Sequence, residues 1–192
     1  PPGAAVGLIR AIAAVIVVGA PLEDSGLDGE GAADPEDDTL NAAGAAYMFR
    51  LAGSWSQTAF VKAPNADVGD NFGHSVAILS NRISGEQATC VVAIGAPYED
   101  SGPGTPDPLG DESAPDSGAI YGFRLQLSDG QLSSASYGKA SNIGAFDSLG
   151  SSIALTPESL VAGAPLEDSS TIGWNKIADE GSLDSGAVYS FR

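Results

Sequence analysis

Apolar residues in this chain come in short runs, and polar turn formers interrupt them. Residues 15–20, 91–96 and 160–164 are rich in Val, Ile, Ala and Gly, and each run stops at a proline, Pro21, Pro97 or Pro165. Short runs with β-branched residues, bounded by Gly, Pro, Asn, Asp or Ser, predict strands and not helices. Proline ends each one because it has no N–H to give to a ladder. The pairs Tyr47/Phe49, Tyr121/Phe123 and Tyr189/Phe191 stand two residues apart. On a strand that spacing puts both rings on one face, so they are predicted to pack in a core and not to stack on a ligand.

The runs recur. Gly19-Ala20-Pro21-Leu22-Glu23-Asp24-Ser25 returns as Gly95-Ala96-Pro97-Tyr98-Glu99-Asp100-Ser101 and as Gly163-Ala164-Pro165-Leu166-Glu167-Asp168-Ser169. A second phrase, Gly44-Ala45-Ala46-Tyr47-Met48-Phe49-Arg50, returns at 118–124 and 186–192, so the Gly-to-Gly distance is 25, 23 and 23 residues. Asp70-Asn71-Phe72-Gly73-His74-Ser75-Val76 matches Asp147-Ser148-Leu149-Gly150-Ser151-Ser152-Ile153, with a worn copy at 6–12. A fourth phrase, 55–65, returns at 132–142 with Lys-Ala-x-Asn at its end. One unit is therefore four strand-sized phrases, and a period of this kind governs the architecture. Four antiparallel strands with short connections predict a propeller blade. The chain is expected to be all-β, with units at 1–68, 69–145 and 146–192, the third lacking its last strand. Gly and Ala on the inner strands are expected to let neighbouring backbones approach closely.

The phrases resemble FG-GAP repeats, the blades of the integrin α-chain propeller. They are more similar still to bacterial FG-GAP repeat proteins, which share the Trp-x-Gln-x-Ala, Phe-Gly-x-Ser-Val-Ala and Gly-Ala-Pro-x-Glu-Asp-Ser strands. The resemblance covers essentially the whole chain. It implies a β-propeller of about seven blades, of which these three would be a fragment. It also implies a secreted or cell-surface adhesion or ligand-binding module, with a protein or carbohydrate ligand and the neighbouring blades of the parent chain as partners. In integrin-type blades calcium sits between the first and second strands, on an Asp-x-Asp-x-Asp-Gly-x-x-Asp loop. Here that place is taken by 80–89, Thr156-Pro157-Glu158-Ser159 and Ala13-Ala14. None supplies alternate oxygen ligands for a hard cation, so that site does not carry over.

Charge changes the picture in one respect. The net charge is −17, and 19 of the 25 acids lie in 21–38, 98–117 and 166–185, the loops after Gly-Ala-Pro. No basic stripe exists to neutralise phosphates, so nucleic acid is excluded as a partner. Anionic membrane surfaces are disfavoured for the same reason, and the apolar run at 11–20 is too short to span a bilayer. The acidic loops have two readings: plain solvation, or relief of carboxylate repulsion by Ca²⁺. For the second, the candidate ligands are Asp24, Asp28 and Glu30 in the first unit and Asp100, Asp111 and Glu112 in the second. Their spacing does not match an EF-hand loop.

Catalysis finds little to work with. His74 is the only histidine, and it sits where the other units have Leu8 and Ser151. A Ser–His–Asp triad would depend on it alone, and a position that varies between repeats is expected to pack. Carboxylate pairs leave glycosidase chemistry open, but acids repeated in every unit fit a scaffold better than one asymmetric active site. No Gly-rich phosphate loop opens a helix. Cys90 is the only cysteine, so no intrachain disulfide forms, and it is expected to be a buried thiol just before a strand. The expected function is non-catalytic. The rivals are a purely structural repeat, and the propeller part of a lyase or hydrolase whose active site lies elsewhere.

Overall fold

A computed structural model describes residues 6–10, 14–26, 35–81, 88–102, 111–173, 179 and 181–192. All regular elements among them are strands. The first sheet is β1 (Val6–Arg10), β2 (Ala14–Ala20), β3 (Ala45–Ala52) and β4 (Ser54–Val61), in that order. The second is β5 (Ser75–Asn81), β6 (Thr89–Ala96), β7 (Ala119–Gln126) and β8 (Leu132–Gly138). The third is β9 (Ser152–Leu155), β10 (Leu160–Ala164) and β11 (Ala187–Phe191). Every pairing is antiparallel and between neighbours in sequence. Among the described residues the three sheets do not close into a ring.

The repeat holds down to register. β3 pairs β4 with Tyr47 opposite Phe60, and β7 pairs β8 with Tyr121 opposite Tyr137. Both pairings slip by one residue at the same place, between Met48 and Phe49 and between Gly122 and Phe123. Cys90 is inside β6, paired with Ser80 and Leu125, and not ahead of the strand. The ladder reaches back to Thr89 because Asn81 and Gln126 extend both neighbours to meet it. Burial pushes the Cys90 thiol up to about 11, which keeps it an inert apolar filler.

The sheets stack in chain order, and the second lies between the other two. On β2, buried and half-buried residues alternate, as on a strand with one covered face. On β6 and β7 almost every residue is buried. Cys90, Val92, Ile94, Tyr121, Phe123 and Leu125 pack toward Val15, Val17 and Met48 of the first sheet. On the opposite face, Ala93 and Ile120 join Ala162 and Ala164 of the third. Phe72, fully buried, sets its ring edge against Tyr121 at 5.3 Å and Phe123 at 6.2 Å. Tyr121 and Phe123 are thus core residues, as their spacing predicts. Tyr189 and Phe191 pack half-buried against the third sheet's core, while Tyr47 and Phe49 are half-buried and join neither core cluster.

Glycine permits the stacking. A Cβ on Gly19 would lie 1.9 Å from the Gly73 carbonyl oxygen, and one on Gly95 would lie 2.1 Å from that of Gly150. The Gly-Ala-Pro glycine of the first and of the second unit therefore meets the Phe-Gly or Leu-Gly glycine of the next, backbone against backbone. Gly73 N–H donates to Gly95 O and Gly150 N–H to Gly163 O, tying that phrase to the second strand of its own unit. Parallel bridges Gly44–Phe72 and Gly118–Leu149 seal each junction.

Candidate functional site

The Gly-Ala-Pro-x-Glu-Asp-Ser turn follows the second strand of each unit and holds two buried carboxylates, Glu99 and Glu167. Proline stops the strand, and the main chain of the glutamate then accepts an N–H from the glycine that opens the third strand: Gly44 to Glu23, Gly118 to Glu99 and Gly186 to Glu167. This fold-back turns the Glu side chain inward. Glu99 and Glu167 are each 1 % exposed. Buried carboxylates survive only with donors around them. The serine two residues on donates to each one: Ser25 Oγ to Glu23 at 2.6 Å, Ser169 Oγ to Glu167 at 2.5 Å, and Ser101 Oγ to Glu99.

The remaining donors come from the fourth-strand phrase. Lys62 Nζ donates to Glu23 Oε2 at 3.1 Å, and Lys139 Nζ to Glu99 Oε2 at 2.8 Å, both within one unit. Burial lowers both lysines from their ordinary value, and the facing glutamate opposes that shift. The asparagine three residues after each lysine crosses to the next unit. Asn65 Nδ2 donates to Glu99 at 2.7 Å and its Oδ1 accepts from Tyr121 Oη at 2.7 Å. Asn142 repeats this with Glu167 at 2.5 Å and Tyr189 at 2.7 Å. Burial, then the Glu99 charge, raises Tyr121 well above the usual phenol range, so the phenol keeps the proton that it donates to Asn65.

The aspartates close the loops. Asp24 Oδ1 accepts the Ala42 N–H, Asp100 Oδ1 that of Asp116, and Asp168 Oδ1 that of Asp184, at 2.8, 2.6 and 2.7 Å. The three donors have φ of 53°, 50° and 52°, and each anchor holds a non-glycine residue in the left-handed region. Asp111 accepts N–H groups from Gly102 and Ser113, and Asp179 those of Ser170 and Gly181. Asp111 is lowered chiefly by the Ser113 hydroxyl and Asp179 by the Ser170 amide. Glu112 goes the other way. Desolvation first, then a hydrogen bond with Asp100, pushes it up to about 7.

Of the residues expected to hold calcium, Asp28 and Glu30 lie outside the described residues. Asp24 and Asp111 serve their own loops, and Asp100 and Glu112 meet each other. Among the described residues no three His, Cys, Asp or Glu side chains converge closely enough to hold a metal ion. His74 has a buried Nδ1 without a hydrogen-bond partner among the described residues and sets its ring edge against Tyr98 at 6.5 Å. A cleft of about 480 Å³ opens between the second and third sheets, walled by Ala93, Ile120, Tyr137, Leu155, Leu160 and Phe191. Its walls are mainly apolar.

Sequence reasoning missed the central actors here: the buried Glu99 and Glu167 and the half-buried Glu23, with Lys62, Lys139, Asn65 and Asn142 as their partners. The available signal was the recurrence of Lys-Ala-x-Asn, polar residues kept at fixed places in a phrase that is otherwise strand.

Asp70 adds a pH dependence. It is 2 % exposed, and burial raises it to about 8 against the Asp67 N–H that it accepts. An unfolded aspartate titrates near ~4, so between that value and about 8 the folded chain binds the extra proton. Stability is then fully present below the lower limit and falls as pH rises through the window. Asp70→Asn keeps the acceptor without the charge. It is expected to gain about 1 kcal/mol or more at alkaline pH and to flatten this slope, read by urea unfolding across pH. An unchanged slope would remove Asp70 as its source.

No protein-family model matches the chain, and no curated protein is significantly similar to it.

Proposed function

We propose that this chain is a non-catalytic binding module made of FG-GAP-type propeller blades, working in a secreted or cell-surface protein and presenting its acidic loops to a protein or carbohydrate ligand. The observation that supports this best is the unit-by-unit recurrence of the Glu–Ser–Asn–Tyr network. Its buried ionisable groups are matched to one another in successive repeats, which suits a repeated scaffold better than a single asymmetric centre for chemistry. The test is binding of the chain to arrays of glycans and extracellular proteins, with neutralising variants of the exposed loop acids as controls. Binding lost in those variants supports the reading. Turnover of an arrayed glycan, or no ligand at all, would overturn it.

Calcium enters this proposal at Asp100 and Glu112. Two carboxyl groups sharing a proton present an oxygen pair that a divalent cation takes by displacing it. Millimolar Ca²⁺ is expected to raise the unfolding midpoint by about 3 °C at pH 8, Mg²⁺ by less, and Glu112→Gln to abolish the difference. Equal midpoints with and without Ca²⁺ would leave a purely structural repeat, a reading favoured by the loop amides already bound to Asp24, Asp111 and Asp179.

A further inference from the structure

An amine and a carboxamide from different units meet on the Glu99 carboxylate. Lys139 Nζ donates to its Oε2 at 2.8 Å, and Asn65 Nδ2 donates to its Oε1 at 2.7 Å. A lysine amine is a nucleophile, and a carboxamide offers it a carbonyl carbon with a nitrogen that can leave. One carboxylate touches both nitrogens, so a proton taken from the first can be passed to the second. The amide oxygen is held as well. Asn65 Oδ1 accepts from Tyr121 Oη at 2.7 Å, and a donor placed there stabilises the negative charge that an attacked carbonyl develops.

The surroundings hold these groups in place and keep water away. The side chains of Lys139 and Glu99 are 5 % and 2 % exposed. Burial lowers the lysine from its ordinary value despite the facing carboxylate, which favours the free amine. The hydroxyls of Ser101 and Tyr137 also donate to Glu99 and fix its orientation. The rings of Phe72 and Tyr137 pack on that of Tyr121 at 5.3 and 5.2 Å. Lys139 comes directly after β8 and Glu99 lies in the turn after β6, both in the second unit, while Asn65 comes from the loop after β4 in the first. Reactants fixed in this way on the ends of paired strands have little orientation left to lose.

We propose that Lys139 and Asn65 join in an isopeptide bond, a covalent tie between the first and second units that the chain forms by itself, with Glu99 as general base and then general acid. Lys139 gives a proton to Glu99, and its free amine attacks Asn65 Cγ. The Nζ–Cγ bond forms and the Cγ–Nδ2 bond breaks. Both protons that Lys139 loses end on Nδ2, which departs as ammonium, and Glu99 is a carboxylate again. No oxidant or reductant enters the step.

The test is the intact mass of the full chain, followed by tandem mass spectrometry of its proteolytic fragments. The chain is expected to be about 17 Da lighter than its sequence, the mass of one ammonia, and to yield a branched fragment that links Lys139 to Asn65. Lys139→Arg and Glu99→Gln are each expected to abolish the deficit. Tyr121→Phe keeps the ring and is expected to slow the loss about a hundredfold, followed by mass from cell-free synthesis onward. The full sequence mass in the folded, unaltered chain overturns the proposal. So does the same deficit without a branched fragment, which would be a succinimide at Asn65, and so does a branched fragment in Glu99→Gln. If Glu99→Gln does not fold, Tyr121→Phe decides the mechanism, and an unchanged rate overturns it.

Discussion

Glu99→Ala is expected to destabilise the chain by about 3–5 kcal/mol in denaturant unfolding. The carboxylate is 1 % exposed and joins Lys139, Asn65, Ser101 and Tyr137. Its removal leaves a buried ammonium without a counter-charge, and that accounts for most of the loss. The rest is the junction to the first sheet, because Asn65 loses its acceptor. Glu99→Gln should cost less, since the amide oxygen still accepts from Asn65. The double variant Glu99→Leu/Lys139→Met should recover much of the loss, as apolar replacements of buried pairs often do. A loss below about 1 kcal/mol for Glu99→Ala would show that the pair contributes no more than a surface ion pair.

Gly95→Ala is expected to be at least as damaging, about 3 kcal/mol or more, or to abolish cooperative unfolding. The new methyl would stand 2.1 Å from the Gly150 carbonyl oxygen, which belongs to the Leu-Gly turn of the next unit. Neither atom is on a flexible side chain, so the second and third sheets must part or the ladder must bend. Gly53→Ala is the control. It has φ of 86° and nothing within 4 Å of a Cβ, so its cost is backbone strain alone, about 1 kcal/mol. Equal losses for the two variants would refute the claim that glycine is required at position 95 for the approach of the next backbone.

The strands were legible because each is a short apolar run stopped by proline or a turn residue, and the repetition told which runs belonged together. Gly19 and Gly95 could be read as places of close approach, although not what approached them, since Gly73 and Gly150 lie more than fifty residues on. The acids were legible as clusters but not as individuals. Glu99 and Asp100 are neighbours in a Gly- and Ser-rich stretch, yet one faces the core and the other closes the loop. What separates them is the fold-back of Gly118 onto the Glu99 carbonyl, a contact formed only after the loop has closed. The partners of Glu99 stand 34 and 40 residues away on either side. Local pattern reading cannot join them, and so the lysines that pair with Glu23 and Glu99 were not foreseen.

The asparagine that crosses each junction gives the molecule a direction. Asn65 is synthesised before Glu99 and Tyr121, and Asn142 before Glu167 and Tyr189. A unit leaving the ribosome therefore meets a neutral donor already made in its predecessor, which can shelter its glutamate while the same unit's lysine is still being made. Assembly from the amino end places each charge against a prepared surface. Assembly in the reverse order would bury Glu99 or Glu167 before the group that greets it had a fixed position.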